Sequence, residues 1–73
     1  MNLYFQNSHG QECLIAQPVN VKECYQEINK FLDEHNFKSY YTRMLEEDGR
    51  IIFDVGSHTE FFIVDGANMN DFR

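Results

Sequence analysis

Two periodicities divide this chain. From Val21 to Leu32 the apolar residues Val21, Cys24, Tyr25, Ile28, Phe31 and Leu32 fall at i, i+3, i+4, i+7, i+10 and i+11. That spacing places them on one face of an α-helix. Lys22, Gln26, Asn29, Lys30 and Asp33 fill the opposite face. Asn20 is a favourable N-cap, and Glu23 stands three residues on, where a capping box places its acid. Asn36 suits the left-handed position beyond the last turn.

Beyond the helix the period falls to two. Tyr40, Thr42 and Met44 alternate with Tyr41, Arg43 and Leu45. Ile51, Phe53 and Val55 alternate with Arg50, Ile52 and Asp54, and Phe61 and Ile63 alternate with Glu60, Phe62 and Val64. Aromatic and β-branched enrichment with this alternation predicts three strands. Asp48-Gly49 between the first two is a hairpin signal, because both central positions of a type I′ turn need positive φ. Gly56-Ser57-His58 supplies the next connection. Ahead of the helix, Cys13, Leu14, Ile15 and Ala16 form a short apolar run that Pro18 stops, which predicts a short strand.

The expected fold class is therefore α+β: a short N-terminal strand, then one amphipathic helix packed on a three-stranded antiparallel meander. The closing segment DGANMNDFR begins with a turn and leaves room for a second C-terminal helix. The α-β-β-β order resembles that of double-stranded RNA-binding domains. Those domains reach phosphates through a basic cluster at the start of their second helix. Here the corresponding segment carries only Arg73, so the resemblance is confined to element order.

The opening stretch NLYFQ (Asn2 to Gln6) matches most of a viral-protease cleavage site used in expression tags, and NSHG after it has the composition of a linker. On that reading residues 1–10 are a tag remnant and residues 11–73 form a single small domain. Such a chain buries only about 60% of its unfolded surface, so its stability is marginal. A disulfide, a metal or a second subunit commonly supplements a core of this size.

Charge narrows the function. Twelve Asp and Glu oppose six Lys and Arg, a net charge of −6. Phosphate binding relies on Lys and Arg, so nucleic acid is an unsuitable partner, and so is an anionic membrane surface. Neutral or basic proteins, or a second copy of the chain, are the expected partners. No signal-peptide core or long apolar run occurs, and two cysteines make no disulfide framework, so a cytoplasmic setting is expected.

Candidate chemistry is sparse. Cys13, Cys24, His35 and His58 are separated by ten, ten and twenty-two residues, unlike the close ligand pairs of structural zinc sites. Two core thiols and two surface imidazoles are the simpler account of them. The spacing leaves open a Cys13–Cys24 bond. Cys24 and His35 stand eleven positions apart, about 16 Å along a helix, which is too far for a nucleophile and its base. Asp54 and Glu60 could meet across a hairpin, but nothing implies a cleft. Gly49, Gly56 and Gly66 are isolated turn glycines rather than a phosphate loop. No catalytic residue, metal site or cofactor is expected.

Aromatic residues point elsewhere. Nine lie beyond residue 10, more than one helix and one sheet face shelter. In Tyr40/Tyr41 and Phe61/Phe62 the two members must point to opposite faces. The expected function is a protein-interaction module, with Tyr41, Ile52 and Phe62 as its apolar patch and Glu46, Glu47 and Asp48 as its charged rim. The assignment within each aromatic pair depends on strand register. The acids also have a plain role as the polar tip of the hairpin. Two alternatives accompany this reading: an inhibitor that imitates nucleic-acid charge toward a basic host protein, and a homodimer with a purely structural role.

Overall fold

A computed structural model of the chain describes residues 1–35, 43–55, 59–67 and 69–72. Its elements are β1 (Asn2–Gln6), β2 (Glu12–Ala16), α1 (Val21–Glu34), β3 (Arg43–Glu47), β4 (Arg50–Asp54), β5 (Phe61–Asp65) and a 3₁₀ turn (Met69–Phe72). Five strands form one antiparallel sheet in the order β2-β1-β5-β4-β3. The class is α+β. The β3-β4-β5 meander is present as expected, but it is part of a larger sheet. Asn36, Tyr40, Tyr41 and the Gly56-Ser57-His58 connection lie outside the described residues.

The larger sheet comes from the first six residues. Asn2–Gln6 pairs with β2 on one side and with β5 on the other, and Leu3 is fully buried opposite Val64. The stretch that resembles a cleavage site is thus an interior strand of the fold. The segment after it is an organised loop. Asn7 accepts hydrogen bonds through Oδ1 from the His9 and Gln11 backbone N–H groups at 2.9 and 3.0 Å. Its backbone N–H donates to the Gln11 carbonyl at 2.9 Å. Gly10 closes the turn at φ +81°, a conformation that favours glycine.

The helix follows its pattern closely. Cys24, Ile28 and Leu32 are buried, and Val21, Tyr25 and Phe31 pack against the same core. Asn20 is the N-cap, its side-chain oxygen accepting the Glu23 backbone N–H at 2.9 Å. Asn20→Ala should therefore lower stability by about 1 kcal/mol. A urea midpoint unchanged by that substitution would mean the cap is dispensable. At the other end His35 stacks on Phe31 with ring centroids 4.0 Å apart.

Leu3, Ile51, Phe53, Phe62 and Val64 form the sheet's contribution to the core. Phe5, Phe31 and Phe62 meet within 4.6 to 5.5 Å, fastening the helix over β1 and β5. Tyr25, Phe53 and Phe72 make a second group of edge-on contacts at 5.4 to 5.9 Å. The second group settles the C-terminal question. The closing segment forms a short 3₁₀ turn rather than an α-helix, and Phe72 joins the helix side of the sheet.

Asp48 and Gly49 adopt φ of +52° and +76°, the pair of positive values that a type I′ turn demands. Cys13 and Cys24 are both free. Burial pushes the Cys24 thiol up to about 11, away from the reactive thiolate.

Candidate partner-binding face

Because Phe62, Val64, Ile51 and Phe53 point to the helix, their chain neighbours must point away. Ladder register then aligns Leu45, Ile52, Ile63 and Tyr4 across the outer face. A second row holds Arg43, Asp54, Phe61 and Gln6, with Glu12 beyond on β2. All of these but Tyr4 line an open concavity of about 440 Å³. Its floor is apolar: Ile63 is buried, Ile52 and Phe61 are half-buried, and Leu45 at the sheet edge is exposed.

Among the described residues two ion pairs cross this face. Arg50 donates from both terminal nitrogens to the Glu12 carboxylate, at 2.8 and 3.2 Å. Arg43 Nε donates to Asp54 Oδ2 at 3.2 Å. Arg50 and Glu12 belong to β4 and β2, with β5 and β1 between them. The ion pair bridges β4 and β2 over β5 and β1 and lies as a bar across the concavity, which forms an open trough. Glu47 and Asp48 line one end of the same trough.

The sequence-predicted residues are distributed unequally. Ile52 lies on the outer face, and Glu47 and Asp48 rim the trough. Glu46 stands opposite Ile51, so it projects from the helix side of the edge strand. The three acids therefore do not form one cluster. Phe62 is fully buried, in tilted and edge-on contact with Phe5 and Phe31, and the outward member of its pair is Phe61. Tyr41 lies outside the described residues.

Sequence reasoning missed Phe61, Ile63, Leu45, Glu12 and Arg50. Alternation could have grouped the first three once the register was known. No local signal joins Glu12 to Arg50, thirty-eight residues apart. Asp54, considered with Glu60 as an acid pair, instead accepts from Arg43.

Among the described residues no group of three or more His, Cys, Asp or Glu side chains could hold a metal ion. Nor is any described helix long and apolar enough to cross a membrane. No family model matches this chain, and no curated protein or solved structure matches it either.

Proposed function

We propose that the protein is a small interaction module that receives an extended segment of a protein partner in the outer-face trough. The observation that carries this reading is the trough itself: an apolar floor of Leu45, Ile52, Phe61 and Ile63 within a predominantly acidic rim. A concavity with apolar residues at its floor and polar groups at its rim has the layout of a small protein interface. Glu47 and Asp48 at one end, and Asp65 on the same face of β5, favour a segment that carries Lys or Arg beside apolar residues. No catalytic step is part of this reading.

Imitation of nucleic acid is less well supported. A phosphate mimic benefits from acids unbroken by cations, whereas Arg43 and Arg50 sit among the outer-face acids and pair with two of them.

A test uses a peptide alternating lysine with leucine, and its counterpart alternating glutamate with leucine. The basic peptide should bind several-fold more tightly, and high salt should weaken it, as expected of a partly screened rim. Replacing Glu47 and Asp48 by their amides should reduce its affinity in low salt only, whereas Glu46→Gln, on the helix side, should leave it unchanged. Equal affinity for both peptides, or no effect of the Glu47 and Asp48 substitutions, would sink the proposal.

A further inference from the structure

The two edges of the sheet differ. β2 is interrupted by a bulge opposite Leu3 and Tyr4, and Pro18 follows closely. Bulges and prolines are the usual devices against edge-to-edge pairing. β3 has neither. Its five residues, Arg43–Glu47, pair with β4 in unbroken register, contain no Lys or Pro, and expose Leu45 at their centre. Among the described residues β3 is the last strand on its side.

The hairpin turn fixes which backbone groups this edge offers. In a two-residue turn Glu47 and Arg50 form the hydrogen-bonded pair next to the loop. Hydrogen-bonded and non-hydrogen-bonded pairs then alternate. Leu45 and Arg43 thus direct their backbone groups toward β4, while Met44 and Glu46 direct theirs away from it. A second β3 can pair antiparallel only by matching Met44 or Glu46 with one another.

Three two-fold registers satisfy that condition. One sets Glu46 opposite Glu46, a like-charge contact that is destabilising. Another sets Met44 opposite Met44 and leaves Glu47 without a counterpart in the strand. The third centres the two-fold on Leu45, with Met44 opposite Glu46 and Arg43 opposite Glu47 at both ends. Only this register overlaps all five residues and matches opposite charges twice. Its Leu45–Leu45 and Arg43–Glu47 contacts fall at non-hydrogen-bonded positions, where side chains approach most closely.

The geometry points to a homodimer formed by antiparallel pairing of β3 with β3 about a two-fold at Leu45. The product is a continuous ten-stranded sheet in which the two outer-face troughs meet at the paired leucines. This inference shares Arg43, Leu45 and Glu47 with the trough but rests on a separate observation, the backbone groups at the sheet edge, and it is read by self-association rather than by peptide binding. Two five-residue edges bury less than a standard interface, so the dimer is transient and concentration-dependent.

Charge reversal in trans tests it. R43E and E47R each place like charges opposite one another in their own homodimers. Each should weaken self-association about tenfold or more in sedimentation equilibrium. An equimolar mixture of the two variants restores opposite charges at both ends and should form a heterodimer of near wild-type strength. A register-specific check replaces Leu45 by Cys in a Cys13→Ser background. Paired at that position, the Cα atoms stand about 4.5 Å apart, within disulfide range. Mild oxidation should cross-link Leu45→Cys at least about tenfold faster than Leu14→Cys, which is exposed at the opposite edge. A wild-type chain that stays monomeric up to about 1 mM overturns the inference. So does a mixture that fails to associate, or equal cross-linking at both edges.

Discussion

Deletion of residues 1–6 is expected to abolish cooperative folding. β1 supplies two of the four strand ladders in the sheet. Without it β2 loses the strand it pairs with, and β5 becomes an edge. The deletion also removes Leu3, which is fully buried, and Phe5, which packs on Phe31 at 4.6 Å. Leu3→Ala alone should cost about 2 to 5 kcal/mol. A chain of 73 residues has a total stability of about 4 to 11 kcal/mol at typical values per residue. Thermal unfolding followed by circular dichroism should show no transition for the truncated chain and a strongly lowered midpoint for Leu3→Ala. A truncated chain that melts as the full chain does would show that residues 1–6 are an appendage, as their likeness to a cleavage site suggests.

Phe62→Ala should be nearly as damaging, and Phe61→Ala should not be. Phe62 is fully buried between Phe5 on β1 and Phe53 on β4, with Phe31 of the helix above it. Truncating a buried phenylalanine costs about 3 to 5 kcal/mol, from lost burial and from the cavity left behind. That is a large share of the stability available to so small a chain. Phe61 is half-buried on the outer face, so its loss should be milder and should appear in binding to the trough instead. Urea unfolding of the two variants distinguishes the faces. A larger midpoint shift for Phe61→Ala than for Phe62→Ala would mean that β5 sits one residue out of register, because such a slip exchanges the two rings.

The contrast between Phe61 and Phe62 shows how far residue pattern reaches. Alternation along FFIVD establishes that neighbouring rings point to opposite faces. It does not establish which ring meets the helix, since apolar residues occupy both parities: Phe62 and Val64 against Phe61 and Ile63. The helix had no such ambiguity. Its apolar residues occupy one face and its polar residues the other, so Cys24, Ile28 and Leu32 could only be buried. The acidic tip was legible as a turn, through Asp48 and Gly49. Its division between faces was not, because Glu46 and Glu47 look alike until pairing with Ile51 and Arg50 separates them.

The first strand was illegible for a different reason. NLYFQ alternates Leu3 and Phe5 with Asn2, Tyr4 and Gln6, as a strand should, and Asn7 with Gly10 carries turn chemistry. The same letters match most of a cleavage site, so the local pattern supports two readings. The trough was hidden too, since Glu12 and Arg50, thirty-eight residues apart, meet only through the order of strands in the sheet.

By itself the sequence determined the helix and its buried face, the Asp48-Gly49 turn, the run of strands after the helix, and the acidic balance. These are local properties, set by periods of 3.6 and 2 or by the backbone needs of one or two residues. Tertiary structure alone decided the order β2-β1-β5-β4-β3, the burial of Phe62 rather than Phe61, the return of Phe72 to the helix side, and the trough with its edge at β3. Strand pairing joins residues far apart in the chain, as when Leu3 meets Val64. A period of two leaves both faces of a doubly apolar strand available until a neighbour chooses between them.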